Sequence, residues 1–125
     1  MAMLEKQGRL DLRPDDHEVV KGVRVIHTPG HTPGHRSVVL ADGSMTLLLT
    51  GDVLHLPIQV AHPEWASSHD EDSELGSQTR TAILNCALEK DWGLAVSHFA
   101  RPFGTVVRSG RAQTWGPLPG RASDS

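Results

Sequence analysis

Apolar residues come along this chain in short bursts that Gly, Pro, Asp and Ser interrupt, a pattern that predicts several short strands and little helix. His17–Val20 and the segment at residues 10–12 predict short edge strands. Residues 22–27 predict a better one, because their β-branched side chains favour a pleated surface. Residues 36–41 and 45–50 are two β-rich runs separated by Asp42-Gly43-Ser44, and Asp-Gly between such runs predicts a hairpin. Met45–Leu49 is apolar except for Thr46, as expected of a central strand covered on both faces.

Residues 55–72 hold two prolines and keep no period, so they read as one long loop, a length usually kept for function. The only long helix follows. Asp72 or Ser73 caps it, Glu74 complements its first turn, and Leu75, Ala82, Ile83, Cys86 and Ala87 fall near one face; Gly93 is expected to end it. Residues 94–97 form a short buried strand that runs into His98, and residues 104–108 and 112–115 make a second hairpin. Residues 1–8 resemble the last turn of a helix stopped by Gly8, which suggests a domain that begins further upstream. The organisation expected is a folded unit over residues 1–116 and a flexible, turn-rich tail over 117–125.

Size and charge narrow the functional classes. A chain of 125 residues suits one small domain. With a net charge of -3 and its Lys and Arg scattered singly, it has no electrostatic footprint for nucleic acid. No apolar run approaches a membrane span and no h-region opens the chain, so a soluble, cytoplasmic protein is expected, with an upstream signal segment left open. The single cysteine, Cys86, rules out an internal disulfide or a thiolate zinc cluster and reads as a small buried thiol. Eight histidines are a surplus of the commonest metal ligand, and their spacing becomes informative.

Three segments share one arrangement, an apolar strand ending in a ligand-type residue. The strand at 23–26 leads into Thr28-Pro29-Gly30-His31-Thr32-Pro33-Gly34-His35, the run at 45–50 leads to Gly51-Asp52, and the strand at 94–97 leads to His98. Strand ends on a rigid sheet hold side chains with the accuracy a metal site needs, and two imidazoles with a carboxylate suit zinc and related ions. Gly30 and Gly51 precede the proposed ligands and are expected to let the backbone pass close to the metal. His31 and His35 are four apart, but Pro29, Pro33 and two glycines forbid a helix, so one of the two is the direct ligand and the other supports the turn.

These segments resemble the third, fourth and fifth metal motifs of the metallo-β-lactamase superfamily, in the same order, with 21 residues from His31 to Asp52 and 46 from Asp52 to His98. Gly51-Asp52-Val53-Leu54-His55 with Val60-Ala61-His62-Pro63-Glu64-Trp65 is similar, more narrowly, to the branch of methyl parathion hydrolase-like enzymes and lactonases. The resemblance implies an α/β fold that is half of a four-layer αββα sandwich, a mixed sheet with one main helix. It implies a metal set of His31, Asp52 and His98, with Asp52 the catalytic residue that bridges two zinc ions in the complete protein. The implied activity is hydrolysis of a small-molecule ester, lactone or phosphotriester by hydroxide generated at the metals. His35 is then a supporting residue of the site, while His55, His62 and Trp65 either line a substrate pocket or face solvent. His27 and His69 read as solvent-exposed.

The family's earlier His-X-His-X-Asp-His segment occurs nowhere in the 125 residues, so the ligand set is incomplete and metal affinity is expected to be weak. A truncated hydrolase is one expectation. The alternative is a non-catalytic product that binds only a metal or a partner. In either case the sheet face left without its second layer is expected to expose apolar surface along Met45–Leu49 and to favour instability, aggregation or self-association.

Overall fold

A computed structural model describes residues 16–66 and 68–118; the readings made at residues 1–8, at 10–12 and beyond 118 lie outside them. One seven-stranded sheet runs in sequence order: β1 (His17–Val20), β2 (Val23–His27), β3 (Arg36–Asp42), β4 (Met45–Leu49), β5 (Gly93–Ala95), β6 (Phe103–Ser109) and β7 (Ala112–Gly116). Both expected hairpins are present, as β3–β4 and β6–β7. All neighbours are antiparallel except β4 and β5, which are parallel. A parallel pair needs a crossover, and here it carries all the helix among the described residues: a 3₁₀ turn at Gly51–Val53, α1 (Ile58–Ala61) and α2 (Ser73–Lys90). The long loop expected over 55–72 is therefore interrupted by a turn of helix at α1.

The Asp72 carboxylate caps α2 by accepting from the Leu75 N–H at 3.0 Å. Its end differs from the expected one. Asp91, at φ 58°, takes the left-handed position and donates its N–H to the Ala87 carbonyl, while Gly93 is already paired with Leu47 in β5. Aspartate tolerates that conformation because its short polar side chain bonds locally. The buried stripe of α2 is also rotated from the expected one: Gly76, Arg80, Ile83, Leu84 and Ala87 are buried, whereas Ala82 is exposed and Leu75 and Cys86 are half-buried.

That stripe packs on one face of the sheet, where Val39, Leu48, Leu94 and Val106 meet Ile83, Leu84 and Ala87, with Val53, Leu54, Val60, Val96 and Phe99 closing the ends. The register places Leu47 beside Leu40 and Leu49 beside Val38 on the opposite face. No described helix covers that side. Strand β4 is thus buried on one face only, contrary to a strand covered on both: Leu48 is fully buried, Leu47 and Leu49 are half-buried and Met45 is 40% exposed. Phe103 and Val107 extend the apolar exposure along β6. Among the described residues, no helix is long and apolar enough to cross a membrane.

Candidate metal centre

Topology brings the three strand-end motifs to one edge of the sheet. Because β4 and β5 run parallel as neighbours, the residues just past their C-terminal ends, Asp52 and His98, emerge side by side. Strand β3 runs antiparallel to β4 with Val38 opposite Leu49, so the loop that precedes β3 lies at that same edge. The eight-residue segment carrying His31 is this loop, closed by the Thr28 N–H donating to the His35 carbonyl at 2.9 Å.

His31 is anchored from behind. Its Nδ1 lies 3.3 Å from Asp70 Oδ1, while Asp70 Oδ2 accepts from Arg80 Nη1 at 3.0 Å, with both Asp70 and Arg80 side chains 1% exposed. An ionised carboxylate only accepts, so His31 Nδ1 is the donor toward Asp70, and the other ring nitrogen, Nε2, lies 3.6 Å from Asp52 Oδ2. The Arg80 guanidinium also donates to the carbonyls of Pro63, Val53 and Trp65, which ties the crossover loop to the same point. The turn itself rests on α2: the Thr79 hydroxyl donates to Pro29 O, and the N–H groups of Glu71 and Asp72 donate to His31 O and Gly30 O. Gly30, at φ 139°, has its place because an added Cβ would lie 2.3 Å from Gly76 Cα. Helix packing, and not passage of the backbone beside a metal, is what that glycine allows.

Asp52 is placed through its backbone. Its N–H donates to His35 Nε2 at 2.9 Å, so His35 is neutral there and protonated on Nδ1. That hydrogen points to Thr28 O and Thr28 Oγ1, whose hydroxyl reaches Ser37 Oγ, which in turn donates to Thr50 O. The chain of bonds runs from β3 to the end of β4. Burial holds His35 below the ordinary histidine value, consistent with a ring that must accept. Gly51, at φ 59°, makes room for this ring, since a Cβ would sit 2.9 Å from His35 Nε2.

The Asp52 carboxylate divides its oxygens between two imidazoles: Oδ2 faces His31, and Oδ1 lies 2.6 Å from His98 Nε2. The His98 hydrogen bond, ahead of the other imidazoles around it, holds Asp52 below the usual carboxylate range. His55 stands between the two histidines. Its ring stacks on His98 at 4.7 Å between centroids and tilts against His31 at 5.2 Å, and burial lowers its pKa. His55 Nδ1 is buried and has no hydrogen-bond partner among the described residues. Ligand atoms of His31, Asp52 and His55 lie within 4.8 Å of one another. Imidazole and carboxylate donors converging beside an unsatisfied ring nitrogen fit a divalent cation of the zinc type.

The remaining sequence candidates separate. Trp65 is 51% exposed and stacks on His62, with centroids 4.2 Å apart, at the outer end of the crossover loop. His27 is exposed and bonds Pro33 O, while His69 is exposed with its ring 6.2 Å from His55. Sequence reading missed Asp70, Arg80 and Gln59. Buried Gln59 accepts from the N–H groups of His55 and Leu56 and donates to Trp65 O. A usable signal existed for Arg80, four residues after Gly76 and four before Leu84 on the helix, but charged residues on a helix are ordinarily assigned to the solvent face.

Comparison with known proteins places these features in context. The sequence profile of the metallo-beta-lactamase superfamily matches residues 2–98. An N-acyl homoserine lactonase of a Bacillus species is 55% identical over 38 residues, 30% of this chain and 15% of that protein. Its counterpart from Bacillus thuringiensis is 50% identical over the same length. Among solved structures, the hydrolase AbOPH of the beta lactamase superfamily superposes with a TM-score of 0.77 at 27% identity, over 94% of this chain and 41% of that one. The dizinc quorum-quenching lactonase AidC gives 0.79 at 23% identity over 89% and 38%. An N-acyl homoserine lactone hydrolase with its product at the catalytic metal centre gives 0.59 at 25% identity over 69% and 34%. The chain therefore spans less than half the length of each.

Proposed function

Because the chain belongs to the metallo-beta-lactamase superfamily, we propose that it carries half of the metal centre of a zinc-dependent hydrolase whose substrate is a small-molecule lactone. His31, Asp52 and His98 would hold the metal, Asp52 through both of its carboxylate oxygens. One observation carries this reading: the two oxygens of a single carboxylate are turned toward two different histidines. The lactone, among the ester-type substrates the sequence allows, is favoured by the homoserine lactonases among the relatives.

Bound zinc supplies an acidified water and a Lewis acid for the carbonyl. The chain's own residues do the positioning. Asp70 and Arg80 fix the tautomer and direction of His31, so that its Nε2 faces the site without reorganisation. His35 fixes the Asp52 backbone. Ligation by His98 Nε2 would replace its 2.6 Å contact with Asp52 Oδ1.

The test is a zinc titration of the chain followed by ring opening of N-hexanoyl homoserine lactone. Zinc binding that Asp52→Ala weakens is expected, with ring opening once the ligands of a His-X-His-X-Asp-His segment are supplied alongside it. Zinc affinity unchanged in each of His31→Ala, Asp52→Ala and His98→Ala contradicts the reading.

A second reading, binding to another copy without turnover, is favoured by the apolar outer face at Leu40, Met45, Phe103 and Val107. Sedimentation analysis should then show an oligomer that Leu40→Glu converts to monomer; a monomeric parent chain contradicts it.

A further inference from the structure

We propose that His55 is a direct metal ligand, which with His31 and Asp52 forms a three-donor site for one zinc ion within this chain. This inference rests on the metal-centre reading above and adds a residue to it. Three observations carry it. Ligand atoms of the three residues already lie within 4.8 Å of one another. The Nδ1 atom of His55 is buried without a hydrogen-bond partner among the described residues, an arrangement that proteins rarely leave uncompensated. The residue is also held in place, since its backbone N–H donates to Gln59 Oε1 at 2.8 Å and its ring is sandwiched between His31 and His98.

Two imidazoles and one carboxylate, with the fourth position left to water, is the donor count of a catalytic zinc. His98, on the other Asp52 oxygen, stands outside this set and serves a second ion. His55 thus has a chemical role that neither a pocket wall nor a solvent-facing loop residue would have. Asp52 lies in the 3₁₀ turn Gly51–Val53 and His55 just beyond it, so both reach the cluster from one short segment.

The experiment compares the parent 125-residue chain with His55→Phe, which keeps a ring against His98 and removes both nitrogens. Zinc affinity is read by competition with a chromophoric chelator, the visible spectrum by cobalt substitution, and the His55 ring nitrogens by NMR during zinc addition. His55→Phe is expected to raise the zinc Kd by more than the roughly 10–100-fold that loss of an outer-shell partner costs. It should also weaken the cobalt absorption, and in the parent the ring nitrogens of His55 should shift as zinc is added. His62→Phe, away from the site, should change none of these. The proposal is overturned if the ring nitrogens stay put, or if His55→Phe leaves the Kd unchanged, while His31→Ala and Asp52→Ala still lose binding; the metal-centre reading then survives. If those two alanine variants also bind zinc as the parent does, both fall.

Discussion

His31 and His98 address opposite oxygens of the same carboxylate, yet the two imidazoles are held in different ways. His31 has a buried carboxylate and a buried guanidinium behind it, and its loop is bonded to the first turns of α2. His98 stands on the short segment after β5, 43% exposed, with Asp52 as its side-chain partner. One arm is preorganised by the fold. The other is oriented chiefly by what it binds. The difference teaches that the crossover between β4 and β5 does more than satisfy topology, because it delivers Asp70, Arg80 and His55 to the anchored side of the site.

The largest test of this contrast is Arg80→Met. It leaves Asp70 buried without its cation and takes the Arg80 donor from the carbonyls of Pro63, Val53 and Trp65, of which Pro63 and Trp65 keep Ser77 and Gln59, so urea denaturation should show a loss of about 3–5 kcal/mol. A loss below about 1 kcal/mol would mean that the anchored arm is not anchored by this pair. Asp70→Asn keeps the shape and removes the charge behind His31. Zinc affinity in a chelator competition should fall about 10–100-fold, while the same assay shows no change if Asp70 is only a loop residue.

His35→Phe removes the acceptor for the Asp52 N–H and should cost about 1–3 kcal/mol. It should also change the response to acid. Burial lowers His35 and His55 below 6.5, and the His98 bond lowers Asp52 below 3.8. In each case the folded chain binds fewer protons than the unfolded one. The stability these groups contribute is therefore complete above their ordinary values and is lost as the pH falls through the lowered ones. Denaturation at neutral and mildly acid pH should show the parent losing stability and His35→Phe losing less; equal slopes would remove His35 from the account. The smallest effect belongs to the exposed arm. His98→Ala should change stability in the absence of metal by no more than about 1 kcal/mol, because an exposed pair contributes little. A larger loss would erase the contrast between the arms.

The sheet and the strand ends that carry His31, Asp52 and His98 were legible in the sequence because they depend on local signals. Asp42-Gly43-Ser44 marks a hairpin by turn chemistry, and Met45–Leu49 marks a strand by its apolar run. The edge where His31, Asp52 and His98 meet follows once β4 and β5 are known to be parallel. What was not legible depends on long-range burial. Arg80 looks like any surface arginine until Pro63, Val53, Trp65 and Asp70 are seen around it. Asp70 sits among Ser68, His69, Glu71 and Asp72, where composition suggests only a solvated loop. Gly30 and Gly51 are expected from the sequence to let the backbone pass close to a metal, whereas what approaches them is α2 and the His35 ring. The end of α2 was misplaced because Asp91, not Gly93, took the left-handed position.

The most direct measurement is X-ray absorption at the zinc edge of the metal-loaded chain. The account predicts a first shell of mixed imidazole nitrogen and carboxylate oxygen at about 2.0–2.1 Å, with the multiple scattering of histidine rings. A shell of oxygen alone, without imidazole scattering, would contradict it.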